Sequence, residues 1–424
     1  MAEKAPGCHL GRPPRVVANY PVVISRSTCL LILSLLSCGG AAATREKPAT
    51  QASMPPPTAL RSGVQPVRPP RKPCIGRRSA PVKLLVSRAA SEFQRGRHAE
   101  ALTCAEEALR SSPELVAALD YRAASLAALG QIDEARLAFA QALAVDPDDP
   151  ETLYGAADFY VSQLAGKRAE LELGLNYALR GARLAQRRQN RPLAGDLLLV
   201  AAAADNDLGD SGEALRYARR ALAFGVDEAD ARYECGVALY NLCRFGESAA
   251  ALERVLKLKP DDAWAFHYLA LVAERQGNAA KAEALERLAR KVAPDDFPQP
   301  VDVDRKSFEV EVRRAMASLP ETEQRALRGV PVEIADVPAL DDLLAVAPPL
   351  SPSILGLYRG PPLGEKCLPQ DGPHCRSVVL YRSNLARYAR DRREFSEQVQ
   401  VTLLHELGHL HGESDEDLRA RGLE

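Results

Sequence analysis

The stretch His405-Glu406-Leu407-Gly408-His409-Leu410-His411-Gly412-Glu413-Ser414-Asp415 decides how the C-terminal part of this chain is read. It has the form HExxHxxGxxD. Residues four apart lie about one turn along the same face of an α-helix, so His405 and His409 can offer two imidazole nitrogens to one tetrahedral ion such as Zn2+. Glu406 sits beside them, off the metal's axis, where a carboxylate can take a proton from water and return it to a leaving amine. Asp415 occupies the place of a third ligand.

The helix that carries the motif follows from its own residues. Asp391 and Glu394 have capping-box spacing, Glu394 to His411 contains no proline, and Gly412 suits the position just past a helix end. Val399, Leu403, Leu407 and Leu410 fall within roughly an 80° arc at about 100° per residue, with both histidines pointing roughly 135° from its centre. The apolar face is therefore expected to be buried and the histidines to look into a cleft. Ser414 with Asp417 makes a second capping pattern and starts a short helix over Asp415 to Arg421, and the turn before it can swing Asp415 back to the histidines. His411 is a rival third ligand. Six residues on from His405 it points about 240° around a continuous helix, so it needs unwinding to reach the same ion.

Upstream, Ile354-Leu355-Gly356-Leu357-Tyr358-Arg359-Gly360, Pro362-Leu363, Val378-Val379-Leu380-Tyr381-Arg382, Glu397-Gln398-Val399 and Thr402-Leu403-Leu404-His405-Glu406 follow in order. With the motif, these blocks resemble the small bacterial zincin-like metallopeptidases over about Phe308 to Glu424. The resemblance implies a compact α+β domain, zinc held by His405, His409 and Asp415, Glu406 as catalytic base, and a peptide or protein substrate. His411 departs from the aromatic residue usual in that family, and an insertion containing Cys367 and Cys375 lengthens the loop after the Gly356 block. Tyr381 and Tyr388 are the nearest phenols that could assist as electrophiles; each also reads as a buried structural tyrosine. Leu357-Tyr358-Arg359 and Val378 to Tyr381 read as strands, as does Pro331 to Val337. An edge strand beside the motif helix could pair with an extended peptide or could simply support the helix.

From about Val82 to Pro294 the pattern repeats. Gly96, Gly130, Gly209, Cys243 and Gly277 stand 34 residues apart, except for one interval of 79. Five positions after each is a small residue: Ala101, Ala135, Ala214, Ser248 and Ala282. Pro113, Pro147, Pro260 and Pro294 recur near the repeat ends. The spacing resembles tetratricopeptide repeats, helix-turn-helix units whose small residues let paired helices approach closely. Six repeats fit, the third lengthened around Ala165 to Leu175. Such an array can present a groove to a protein partner or to substrate, or can act as a rigid spacer. Trp264, Phe266 and Tyr268 could belong to a binding surface or to packing between repeats.

The first 88 residues hold fourteen Lys or Arg and two acids, although the whole chain carries a net charge of -1. Tyr20 is the one Phe, Trp or Tyr among these charges, so they lack the aromatic interleaving that would argue for nucleic-acid binding. Arg26 precedes the apolar run Cys29 to Leu36, too short to span a bilayer, and Leu35-Leu36-Ser37-Cys38-Gly39-Gly40 resembles a bacterial lipobox with Cys38 as the lipidated residue. A Pro-rich stretch then reads as a disordered tether.

The expected organisation is a signal peptide over 1–38 ending in the lipobox, a linker over 39–81, repeats over 82–294 and the zincin-like domain over 295–424. The expected fold is an all-α tetratricopeptide-repeat superhelix followed by a small α+β domain. The expected place is the bacterial cell envelope, outside the cytoplasm and facing the periplasm, with membrane contact by the lipid anchor alone. An oxidising compartment favours a disulfide between Cys367 and Cys375. Cys235 and Cys243 are read as packing residues on one helix. The two functional readings are an exported, lipid-anchored zinc metallopeptidase, a hydrolase whose repeats recruit substrate or partner, and a repeat scaffold lipoprotein whose zinc is structural.

Overall fold

The computed structural model describes residues 81–164, 167–367 and 375–423. Cys38, the lipobox and the linker lie outside the described residues. The chain forms two compact units divided between Gly155 and Ala156.

In the first unit, helices Val82–Gln94 and His98–Ser111, then Val116–Ala128 and Ile132–Val145, pack as successive pairs. Alanine decides the spacing. Ala101, Ala105, Ala108, Ala118, Ala135, Ala138 and Ala142 are all fully buried, which lets backbones approach as larger side chains would not. Thr152 Oγ1 donates to Asp120 Oδ1 at 2.7 Å, joining neighbouring repeats through a half-buried carboxyl.

The second unit opens on a π-helical turn, Phe159–Gln163, and a long helix, Arg168–Arg187, where the sequence pattern is lengthened. The helices Arg191–Leu208, Ser211–Phe224, Glu228–Asn241, Phe245–Leu258, Ala263–Arg275 and Ala279–Val292 continue the array. Cys243 does not share a helix with Cys235, contrary to the sequence reading: helix Glu228–Asn241 ends before it, and Cys243 stands in the following turn at φ 59°. Trp264 packs edge-on against Phe297 at 4.8 Å, so this aromatic group covers the exit from the last repeat.

The α+β part follows. Helix Arg305–Ser318 and the motif helix Arg392–Leu410 pack on one face of a three-stranded sheet in the order β1-β3-β2, with β1 at Val332–Ala335, β2 at Gly356–Arg359 and β3 at Ser377–Tyr381. β1 runs parallel to β3 and β2 antiparallel to it, with Gly356 opposite Leu380 and Tyr358 opposite Val378. Alternation along the strands sends Val378, Leu380 and Tyr358 into the core beneath the motif helix. Leu357, Val379 and Tyr381 enter a second cluster, with Leu343, Leu350 and Ile354.

Candidate metal centre

Asp391 starts the motif helix, its Oδ1 accepting from the N–H groups of Arg393 at 2.8 Å and Glu394 at 2.9 Å. Phe395, Val399, Leu403, Leu407 and Leu410 are buried along one face. The helix stops where the sequence places its end. Gly412, at φ 88°, donates its N–H to His409 O, and Glu413 donates to Gly408 O, the paired bonds of a Schellman end. Ser414 and Asp417 then form a reciprocal capping box and begin helix Asp415–Ala420.

That short helix returns across the motif helix because of Gly408. A Cβ there would come within 2.1 Å of Leu418 Cδ2, and Leu418 is fully buried at the crossing. The close approach carries Asp415 to the histidines. His405 Nε2 and His409 Nε2 are 3.1 Å apart, and Asp415 Oδ1 is 3.5 Å from the first and 3.4 Å from the second.

These three edges fit one tetrahedral zinc ion. Ligand bonds of about 2.0–2.1 Å at tetrahedral angles separate donors by roughly 3.3–3.4 Å. The protons agree with the distances. His405 Nδ1 lies 2.6 Å from Leu423 O and His409 Nδ1 lies 3.0 Å from Glu413 O. A carbonyl oxygen only accepts, so each Nδ1 carries hydrogen and, in the neutral rings, each Nε2 presents a lone pair. Two lone pairs and a carboxylate oxygen thus converge, and buried Asp415 Oδ1 has no well-formed hydrogen bond. A cation held between these atoms would relieve their mutual repulsion, which is the donor chemistry of a metal site.

Ionisation tells the same story. Burial lowers both histidine pKa values, but Asp415 and Glu406 outweigh it and leave them raised. Burial raises Asp415, yet the two imidazoles pull it down to about 2. Glu406 is raised, chiefly by burial. Its carboxylate accepts the Tyr358 N–H from β2, and a Cβ on Gly356 would lie 2.8 Å from Glu406 Oε1, so glycine lets the strand press directly on the acid.

His411 is not part of the cluster. Its Nε2 lies 2.8 Å from Glu323 Oε2, and His405, His409 and Asp415 are the group suited to a metal among the described residues. Tyr381 belongs to the cluster on the sheet face away from the motif helix, its buried hydroxyl lacking a hydrogen bond. Tyr388 packs at the edge of the core under the motif helix. Cys367 and Cys375 are disulfide-bonded with their Cα atoms 5.9 Å apart. Arg376 beside them donates to the carbonyls of Pro361, Pro362 and Glu365, anchoring the base of the inserted loop. Three partners of the site were absent from the sequence reading: Tyr358 N–H, Glu413 O and Leu423 O. All are backbone groups, which leave no mark on residue type.

Comparison with known proteins adds family matches along the chain. The family model described as Zincin-like metallopeptidase matches residues 327–423. Tetratricopeptide-repeat models match 116–159, 199–263 and 236–297. Similar solved structures include PilW, a type IV pilus biogenesis factor, at 20% identity over 54% of this chain and 97% of that one, TM-score 0.44. PilF of Pseudomonas aeruginosa matches at 13% identity over 55% and 97%, TM-score 0.43, and a thermophilic repeat protein of Thermus thermophilus at 21% over 48% and 100%, TM-score 0.37. No curated protein matches the chain.

Proposed function

Because residues 327–423 form a zincin-like metallopeptidase domain preceded by tetratricopeptide repeats, we propose that the chain is a zinc-dependent peptidase that hydrolyses peptide bonds and uses its repeats to recruit substrate or a protein partner. The observation that carries this reading is the convergence of His405 Nε2, His409 Nε2 and Asp415 Oδ1 with Glu406 buried alongside.

His405, His409 and Asp415 would hold the zinc ion, which would supply a Lewis acid for the scissile carbonyl and lower the pKa of the attacking water toward ~7. The remaining work belongs to the protein. Glu406 accepts a proton from the attacking water and passes it to the departing amine nitrogen as the carbon–nitrogen bond breaks. Its raised pKa, caused mainly by burial, suits a group that must hold that proton between the two steps. The Leu423 and Glu413 carbonyls keep each Nδ1 protonated and so keep each Nε2 turned to the centre. β2 lies at the sheet edge, so its outer side can align an extended peptide by strand addition beside Glu406.

The same proposal places the protein outside the cytoplasm on a lipid-modified Cys38. The Cys367–Cys375 disulfide supports an oxidising compartment, and no described helix is long and apolar enough to cross a membrane. Labelling with a fatty-acid analogue tests the anchor; no label on the wild-type chain removes it. Metal analysis followed by digestion of a peptide library tests the chemistry, with Glu406→Gln as control. A structural zinc site has no use for a buried carboxylate pressed beside it, so equal cleavage by wild type and Glu406→Gln would sink the mechanism.

A further inference from the structure

The turn between paired helices recurs through the array with a residue at positive φ: Gly96 at 72°, Gly130 at 73°, Gly209 at 88° and Gly277 at 75°. In the repeat made of Glu228–Asn241 and Phe245–Leu258 that place is taken by Cys243, at 59°. The backbone bonds are unchanged. Cys243 N–H reaches Tyr240 O at 2.9 Å and Arg244 N–H reaches Leu239 O at 2.8 Å, as Gly277 N–H reaches Glu274 O and Asn278 N–H reaches Ala273 O. A side chain in this conformation is strained where glycine is not; the exposed Gln189, at φ 59° in the turn before helix Arg191–Leu208, bears that strain at the surface, whereas Cys243 is packed against a partner.

That partner is the α+β part of the same unit. A Cβ at Gly96, Gly130 or Gly277 would meet nothing within 4 Å. Cys243 instead is half-buried against the cluster that holds Leu350, Ile354 and Leu357, its Sγ 3.7 Å from the Leu350 carbonyl oxygen. Neighbouring contacts reach the same segment. Ser351 Oγ donates to Asn241 Oδ1 at 3.1 Å. Arg387 donates to Glu274 Oε1 at 2.5 Å and to Asn384 Oδ1 at 3.3 Å, and Asn384 Nδ2 donates in turn to the carbonyls of Pro352 at 3.0 Å and Ile354 at 2.7 Å. The segment Leu350 to Leu355 runs straight into β2, whose Gly356 lies directly against Glu406 and Thr402.

We propose that the last two repeats are a built support of the candidate active site, and that Cys243 is a positioning residue whose side chain pins residues 350–354 and through them holds β2 against Glu406. The docking rests on geometry alone, whereas its effect on turnover rests on the peptidase reading above. A turn whose only duty was to reverse the chain would be served best by glycine.

The test is Cys243→Gly in the full chain, with Cys243→Ser as the conservative partner. Relief of backbone strain by itself would raise the melting temperature. The proposal expects the reverse: a fall of roughly 2–4 °C and amide exchange over 354–359 at least about threefold faster, with exchange over 82–155 unchanged. It also expects kcat for peptide cleavage to fall at unchanged zinc content and KM, with Cys243→Ser restoring both exchange and kcat. A melting temperature at or above that of wild type overturns the docking, and a lower one with unchanged exchange over 354–359 overturns the positioning role. Faster exchange in a protein that cleaves no peptide even with Cys243 intact upholds the docking and removes the peptidase reading instead.

Discussion

The turn glycines of the repeat array and the two glycines packed at the metal centre serve different purposes. Gly96, Gly130 and Gly277 face open space and serve the backbone's conformation, in the same way, repeat after repeat. Gly356 and Gly408 serve a single close approach each, one to Glu406 and Thr402, the other to Leu418. The array therefore distributes its stability over similar nearest-neighbour contacts, while the site concentrates its function in contacts that occur once. Damage to the two regions should differ in kind as well as size.

The sharpest contrast is chemical. Glu406→Gln should lower cleavage by the zinc-loaded protein by about 10²–10⁴-fold while leaving zinc binding and the melting curve of the repeats intact. Turnover, metal content and circular dichroism on one preparation check this, and a matching loss of zinc would show that Glu406 is structural.

Next in size is the ligand set. Asp415→Ala should weaken zinc affinity by at least about 10-fold, measured by competition with a chromogenic chelator, because two imidazoles with lone pairs 3.1 Å apart lose their third donor. Stripping zinc from the wild type should speed amide exchange over 412–423 and leave 82–155 unaltered, since the centre joins the motif helix only to the segment that carries Asp415.

The paired glycine substitutions compare the regions most directly. Gly408→Ala should cost about 1–3 kcal/mol and lower zinc affinity, because a Cβ 2.1 Å from Leu418 forces the short helix outward. Gly130→Ala meets no neighbour and should cost only the left-handed backbone strain, about 1–2 kcal/mol, with zinc affinity unchanged. If both variants bind zinc equally, the claimed distinction between conformational and steric glycines fails.

The smallest effect belongs to a buried acid of the array. Burial lifts Asp158 to about 6, with a hydrogen bond from Ser162 Oγ at 2.8 Å opposing it. The folded state thus binds the proton more tightly than the unfolded state, so the penalty is full above pH ~6 and is relieved as pH falls toward ~4. Asp158→Asn should therefore stabilise the protein at pH ~7.5 by on the order of 1 kcal/mol and by little at pH ~4, read from denaturant midpoints at the two pH values.

Much of the metal centre was legible because its signal is local. Helical spacing put His405 and His409 on one face opposite Val399, Leu403, Leu407 and Leu410, and the capping patterns at Asp391 and Ser414 marked where both helices begin. The position of His411 also followed from its angle around the helix; the structure adds its partner, Glu323, from 88 residues away. Cys243 was read in register with the turn glycines but placed on a helix. Its residue type gave no reason to expect a left-handed turn, and that reason lies in a segment more than a hundred residues downstream.

By itself the sequence determined the repeat period, the helix that bears the motif, two histidines on one face of it and the sites where small residues permit close packing. Each depends on the fixed rise and rotation of a helix or on the steric demands of one residue. Only the tertiary structure decided which backbone carbonyls orient the imidazoles, which strand N–H restrains Glu406, and why one repeat keeps a side chain where its neighbours have glycine. Those answers require atoms distant in sequence to meet, and a hydrogen-bonding main chain looks alike at every residue until the fold has chosen its partner.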